Sequence, residues 1–429
     1  MSAGSLTQHS LRSPLSGGRR RAGAGVFAAG GRAPILIAVA GLVGVAAALR
    51  FYGIGHQGFW FDEANTAQLV QFSPGKMLGL IPHSESTPPL YYCVAWVWAR
   101  LWGDGEAGLR SLSAVAGVIV VPVAYVTGAR LMTRRAGLIA AALTAFSPLL
   151  TWYSQEARSY SMLVLLTALS LLAFAYARET PAPRLLALWV LTSGLALATH
   201  YFAAVTVVPE AAWLLAQHRR RPAVRMAVAI VAGCGLALIP LAISQNGTGH
   251  DSWIASAPLG LRLRQILPQF LIGTGAPARV LLRDSAIGLV AIALIRLAIG
   301  GLSEERSGAL VAGGLALAGF ALSLVLAAVG FDDLITRNII ALWLPAALLV
   351  AGGLACGRGR ALGVAVLAAL CAIGVTAALG VAADRNLQRP DWRYVARILG
   401  PAHPAPARVG GGSLSGGGPA DVVGRAILI

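Results

Sequence analysis

Asp62 and Glu63 are adjacent carboxylates between the aromatics Phe59, Trp60 and Phe61 and a helix-like run, in the stretch FWFDEANTAQLVQF. A carboxylate at a membrane edge can act as a general base that takes the proton of an acceptor hydroxyl. The same dipeptide also suits an acidic helix N-terminus, which the helix dipole favours. Glu156 and Arg158 stand two apart in WYSQEARSYS. There they can clamp a polar ligand, since arginine's planar fork suits a phosphate. A local salt bridge capping the next helix is the alternative. Arg337, in DDLITRNIIALWLP, opens an apolar run. A lipid phosphate would answer its charge, and so would Asp332 or Asp333. His200 and Tyr201 sit at a tight turn between two apolar runs, where interfacial hydrogen bonding is the commoner role. The chain has no Walker A loop, no HExxH and no dinucleotide-binding glycine fingerprint. Chemistry on a nucleotide in the cytoplasm thus has no visible machinery, and a sugar donor used outside would have to be lipid-linked.

The elements that must position these residues are membrane helices. Of 429 residues, 57% are hydrophobic and only 12% charged, with a mean hydropathy of +0.71. A soluble domain is nearer a quarter charged. Apolar runs long enough to cross a bilayer recur from 33 to 382. They do not alternate, so they are helices rather than barrel strands. Eleven spans are expected, near 33–52, 109–129, 136–152, 161–177, 185–200, 201–217, 225–243, 284–300, 308–329, 338–355 and 361–382. The net charge of +17 is nearly all arginine, with Lys76 the single lysine. With the N-terminus cytoplasmic, the clusters at Arg130, Arg134 and Arg135, at Arg178 and Arg184, at Arg219, Arg220, Arg221 and Arg225, at Arg296 and Arg306, and at Arg358 and Arg360 all fall inside. This arrangement makes the charge a topology signal and not a nucleic-acid footprint. Cys93, Cys234, Cys356 and Cys371 show no metal or disulfide spacing.

Three regions follow. Residues 1–32 read as a basic cytoplasmic tail. Residues 33–383 read as the transmembrane domain, with 53–108 as an extracytoplasmic loop whose PPLYYCVAWVWARLWG segment is short for a span and suits an interfacial helix. Residues 384–429 read as a short extracytoplasmic tail, disordered or truncated, with a flexible GGGSLSGGG stretch.

Five motifs carry a family resemblance: FWFDEA, TPPLYY, LRSLSAVAG, SPLLTWYSQEARSYSM and, further on, ITRNIIALWLP. The sequence resembles glycosyltransferase family 39 over about 35–400, most strongly over 55–175. That family holds the bacterial relatives of protein O-mannosyltransferases and lipid A aminoarabinose transferases. The resemblance implies an all-α integral membrane bundle of the GT-C type with an extracytoplasmic first-loop subdomain. It implies a polyprenyl-phosphate sugar donor, mannose by default, and inverting transfer to a hydroxyl of a protein, lipid or glycan at the outer face of the plasma membrane. Asp62 would be the catalytic base, with Glu63 beside it for acceptor or metal contact. Arg158 and Arg337 would hold the donor phosphate, and Glu156 would orient the acceptor or an arginine. Arginines that neutralise a lipid phosphate can stand in for a general acid.

The sequence departs from the family in three places. Asn338 stands where many members have Tyr, Thr87 stands where relatives often have His, Asp or Lys, and the tail after DWRYVARILG is short. His83 or Glu85 is then left to do the work of the Thr87 position. No cofactor is fixed by sequence; Asp62 and Glu63 are the pair to hold Mg²⁺ or Mn²⁺ if the reaction uses one. The rival readings are an arabinose or aminoarabinose donor, a lipid or sugar transporter or flippase, and an inactive scaffold. The acidic motifs sit at outer membrane edges and not at mid-span, which favours an enzyme over a transporter.

Overall fold

The computed structural model describes residues 32–249, 252–301, 303–357 and 359–400. The expected basic tail therefore lies almost wholly outside the described residues, as do His250, Asp251, and the chain beyond 400. Among the described residues every regular element is helical. Helix α1 (Arg32–Phe51) leads into three shorter helices, α2 (Phe61–Leu69), α3 (Pro74–Ser84) and α4 (Leu90–Trp102). A bundle follows: α5 (Glu106–Leu131), α6 (Arg134–Phe146), α7 (Pro148–Ser154), α8 (Tyr160–Ala177), α9 (Pro183–Thr199) and α10 (Ala204–His218). Then come α11 (Pro222–Ala237), α12 (Ile239–Asn246), α13 (Ser252–Ser256), α14 (Leu259–Ile272), α15 (Arg279–Gly300) and α16 (Ser303–Ala328). The last are α17 (Trp343–Ala355), α18 (Arg360–Ala383) and α19 (Trp392–Leu399).

Each of the eleven expected spans contains a helix or a consecutive pair of helices. Among the described residues six helical segments are long and apolar enough to cross a membrane, or seven if α6 and α7 form one bent span. The difference has physical causes. Helix α9 is 17 residues long, roughly 25 Å at 1.5 Å per residue, short of a hydrocarbon core of about 30 Å. Helix α15 carries Arg279, Arg283, Asp284 and Arg296. Arg296 lies inside that helix rather than in a loop, donating to the carbonyls of Gly353, Cys356 and Gly359 at 3.1–3.3 Å around the end of α17. Between α6 and α7 the axis bends by 55°. Pro148 has no N–H to continue the ladder, and Ser147 caps the new helix by accepting from Leu150 N–H at 3.2 Å.

Among the described residues two apolar cores stand out beside two small clusters. The larger draws mainly on α5, α6, α8, α9, α10, α16 and α17, and includes Leu163, Phe174, Trp189 and Leu348. The smaller joins α2, α3 and α4 through Leu69, Met77, Ile81, Tyr91 and Tyr92 to Leu109, Leu112 and Ala157. The stretch 53–108 thus has its own packed centre, seated on the start of α5 and on the turn between α7 and α8. Residues 384–399 are ordered too: Asp391 caps α19 by accepting from Arg393 N–H at 3.0 Å. The stretch read as tail thus carries a 3-10 turn, Arg385–Leu387, and α19 before residue 400.

Glycine sets the close contact of α5 with α6. A Cβ on Gly137 of α6 would lie 2.4 Å from the Tyr125 carbonyl oxygen, and one on Gly128 of α5 only 2.8 Å from Gly137 Cα. Small residues let membrane helices approach this closely. Gly137→Ala should cost about 1–3 kcal/mol through overpacking and lower the thermal unfolding midpoint in detergent. Gly41→Ala, with nothing within 4 Å, should leave that midpoint unchanged in the same melt.

Candidate active site

Helix α2 begins after Trp60, whose backbone is extended. Its first turn holds Asp62 and Glu63, as the dipole favours. Glu63 is fully buried. Its Oε1 accepts from Arg110 Nε at 2.7 Å and from Ala157 N–H at 2.8 Å. Its Oε2 accepts from Arg110 Nη2 at 2.6 Å and from Trp60 N–H at 3.3 Å. A carboxylate has about four acceptor sites, so Glu63 has none left for an acceptor hydroxyl or a cation. Asp62, one residue earlier and about 100° around the helix, points elsewhere. Its Oδ2 accepts from Arg337 Nη1 at 3.3 Å.

Arg158 turns towards the small core. Its Nη1 donates to Glu85 Oε2 at 2.8 Å and to the Asp62 carbonyl at 3.2 Å. Tyr92 also donates to Glu85 Oε2, at 2.5 Å, and shares a 3.1 Å contact with Thr87 Oγ1. Glu85 therefore joins the cluster, whereas His83 is exposed at the end of α3. Tyr201 donates to Gln245 Oε1 at 2.7 Å, and Gln245 Nε2 donates to the carbonyls of Ile81 and Thr87. Tyr201 thereby supports the Thr87 turn from behind. His200 is buried; its Nδ1 accepts from Phe202 N–H at 3.2 Å, and its ring lies 5.7 Å from that of Tyr160.

Arg337 lies against two aromatic rings, 5.2 Å from the centre of Trp253 and 5.8 Å from that of Tyr160. Asp332 pairs instead with Arg262, through bonds of 2.9 and 2.5 Å. Arg337 also lines a cavity of about 300 Å³ with Trp60, Trp152, Tyr153, Glu156 and Thr274, closed by 388–390. Glu156 Oε2 accepts from Arg389 Nη2 at 2.9 Å. Burial pushes the Glu156 carboxyl up from the usual carboxylate range, and Arg389 opposes that push. Four buried polar atoms around this cavity lack a hydrogen-bond partner: Trp60 Nε1, Glu156 Oε1, Thr274 Oγ1 and Arg337 Nε. Buried polar groups are nearly always paired, so such a set points to a polar ligand.

The structure thus gathers Asp62, Glu85, Glu156, Arg158 and Arg337 and leaves His83 aside. Sequence reasoning passed over Arg110 and Arg389. Arg110 carried the same signal as Arg337, an arginine near the start of an apolar helix. Arg389 lay in QRPDWRY, within a stretch read as tail. Asp62 and Glu63 do not fit a shared divalent cation, because Glu63 is saturated by Arg110 and backbone N–H groups and Asp62 faces a guanidinium. Among the described residues no group of three or more His, Cys, Asp or Glu comes together to hold a metal.

Residues 86–244 match the family model described as dolichyl-phosphate-mannose-protein mannosyltransferase. That segment contains TPPLYY, LRSLSAVAG and SQEARSYS, and leaves FWFDEA and ITRNIIALWLP outside. No curated protein sequence matches the chain. Among solved structures, ArnT from Cupriavidus metallidurans bound to undecaprenyl phosphate superposes with a TM-score of 0.52 at 15% identity, over 74% of this chain and 60% of that one. The Archaeoglobus fulgidus oligosaccharyltransferase complex with zinc and sulfate gives 0.45 at 14% identity, over 80% and 53%. The S. cerevisiae Pmt1-Pmt2 complex bound to the sugar donor gives 0.37 at 18% identity, over 48% and 32%. The chain covers less than two thirds of the length of each of these proteins. At such identities the likeness is one of fold, and the first superposition carries it. The chain thus carries the pattern of that mannosyltransferase family over 86–244, and its several apolar helices are arranged with a fold similar to that of the membrane enzyme ArnT.

Proposed function

We propose that this protein transfers a sugar, mannose by default, from a polyprenyl-phosphate donor to a hydroxyl acceptor on the extracytoplasmic side, with inversion and with Asp62 as general base. The observation that carries this reading is the contact between Asp62 and Arg337, 275 residues apart, beside a cavity with unpaired polar atoms. Asp62 Oδ2 takes the acceptor's proton. The acceptor oxygen then bonds to the anomeric carbon on the face opposite the phosphate. The anomeric C–O bond breaks, and its electron pair leaves on the polyprenyl phosphate. Arg337 stabilises that charge, while Arg158 holds the Asp62 carbonyl and so keeps the base in place.

A second cavity supports a lipid-linked donor. It measures about 220 Å³ and is walled by apolar groups that include Phe146, Leu267, Phe270, Leu271, Trp343 and Leu370. Helix α7 reaches both cavities, with Pro148 at the apolar one and Trp152 and Tyr153 at the polar one. Four residues of helix separate them, roughly 6 Å. A ligand with a polar head and an apolar chain suits that juxtaposition. The extracytoplasmic assignment rests on the arginine clusters, which fall on the other side of the spans.

The direct test is an assay of purified protein with radiolabelled undecaprenyl-phosphate mannose, arabinose or aminoarabinose against protein, lipid and glycan acceptors. Absence of transfer from every lipid-linked sugar would remove the reading. In the active assay Asp62→Asn should lower kcat by about 10²–10⁴-fold, the usual worth of a general base, with an unchanged melting midpoint. Glu63→Ala should behave differently. It strands Arg110 in a buried site, costs about 3–5 kcal/mol, and should show first as a lowered melting midpoint and reduced folded yield.

A further inference from the structure

The cavity beside Arg337 is closed by chain that follows the last long apolar helix. After α18 ends at Ala383, the segment of residues 384–391 lines the cavity through Gln388, Arg389 and Pro390 and is fastened on both sides. Gln388 Nε2 donates to the carbonyls of Val381 and Ala382 at 2.8 and 3.0 Å, and the Gln57 amide donates to Gln388 Oε1 at 2.5 Å. Beyond the cavity, Arg393 reaches Glu106 at 3.2 Å and the His56 carbonyl at 3.3 Å, and the Trp392 ring lies 6.1 Å from that of Phe61. Two glycines fit this path. A Cβ on Gly275 would stand 2.3 Å from the Leu387 carbonyl oxygen, and one on Gly58 would stand 2.3 Å from Asp391 Oδ1.

Between these anchors, Arg389 is held firmly. Its Nη2 donates to Glu156 Oε2 at 2.9 Å and to the Trp152 carbonyl at 2.8 Å, and its guanidinium stacks 4.1 Å from the Trp152 ring centre. Glu156 is thereby fixed by one oxygen, while Oε1 stays buried and unpartnered at the cavity. Trp60, Trp152 and Tyr153 supply aromatic surface, and Trp60 Nε1 and Thr274 Oγ1 add one unpaired donor and one unpaired hydroxyl.

We infer that this strap completes a saccharide subsite, in which Arg389 is a positioning residue that holds Glu156 with Oε1 free to accept a hydroxyl of the sugar carried by the lipid phosphate. The inference rests on the donor reading above and goes beyond it by assigning the group that reads the sugar. An anion is a poor occupant here, because the Arg389 guanidinium is committed to Glu156 and the carboxylate repels negative charge. Arg337 is the cation left for a phosphate. A neutral polyol matches the mixture of one acceptor, nearby donors and aromatic faces, in a cavity at the small end of ligand sites.

The test is equilibrium binding to full-length protein in nanodiscs, with undecaprenyl phosphate and with its mannose, glucose and arabinose conjugates as probes. Wild type should bind one conjugate more tightly than the bare lipid phosphate. Glu156→Gln and Arg389→Gln should each lose that preference by about ten- to hundredfold while holding the bare lipid phosphate within about twofold, as expected for losing a hydrogen bond to a charged group. The double variant should be no weaker than Glu156→Gln alone, and Arg389→Lys should recover part of the preference. Arg337→Ala should weaken all probes alike. The subsite is overturned if Glu156→Gln or Arg389→Gln keeps the full preference, if Arg389→Gln loses the bare lipid phosphate to the same degree, or if wild type binds that lipid but prefers no conjugate. Wild type that fails to bind undecaprenyl phosphate at all overturns the donor reading and the subsite with it.

Discussion

The buried pair of Glu63 and Arg110 is the constraint on which the site depends. Two charges out of water are tolerated when geometry is good and the remaining lone pairs and N–H groups are matched. Here Arg110 makes two bonds to the carboxylate and reaches the carbonyls of Ile54, Gln57 and Gly58 at 2.9–3.0 Å. Glu63 takes the Ala157 N–H as well. One interaction thus pins the loop after α1, the start of α2, the N-terminal end of α5 and the turn that carries Glu156 and Arg158. A planar bidentate pair also fixes direction and not only distance. With the first turn of α2 fixed by Glu63, the heading of Asp62 is settled by helix geometry alone.

Much of this was legible in the sequence, for reasons that also mark where legibility stopped. The helices were visible because a bilayer demands long apolar runs, and the arginine clusters ordered them. Asp62, Glu156 and Arg337 stood out as charges at apolar edges. Which of two adjacent carboxylates meets Arg337 was not visible. Asp62 and Glu63 differ by one helix position, and the partner that decides between them, Arg110, is 47 residues away. Glu156 and Arg158 looked like one clamp, yet they serve different partners: Arg389 for one, Glu85 for the other. Those pairings are long-range and leave no local periodicity. The strap at 384–391 was hidden by composition, because the Pro-, Gly- and Ala-rich stretch after it resembles a linker and shaded QRPDWRY with it.

The glycines show how closely the backbone must pass at the site. Gly58 and Gly275 come from segments with no sequence proximity, and each makes room for the same short strap. Gly117 serves α5 in a similar way, since a Cβ there would stand 2.1 Å from Ser154 Oγ and 3.0 Å from Arg50 Nε. Arg50 lies fully buried at the end of α1, donating to the Thr144 and Ala145 carbonyls at 2.9 and 3.1 Å. It satisfies carbonyls freed where α6 breaks before Pro148. That break tilts α7, and the tilt presents Trp152 and Tyr153 to the polar cavity.

Charge balance then bears on how a donor would enter. Four carboxylates and four arginines of the candidate site form four pairs: Glu63 with Arg110 at 2.6 Å, Glu85 with Arg158 at 2.8 Å, Glu156 with Arg389 at 2.9 Å, and Asp62 with Arg337 at 3.3 Å. The set is neutral by itself, so a lipid phosphodiester adds an uncompensated negative charge unless an arginine changes partner. The first three pairs have carboxylates only 0–2% exposed, and separating any of them would strand a charge away from water. The fourth is the longest and is about one fifth exposed on each side, so water and ligand reach it at the lowest desolvation cost. In the proposed reaction Arg337 is therefore the arginine that moves to the phosphate. The carboxylate it releases is Asp62, which gains its freedom to accept a proton from the same event that brings in the donor.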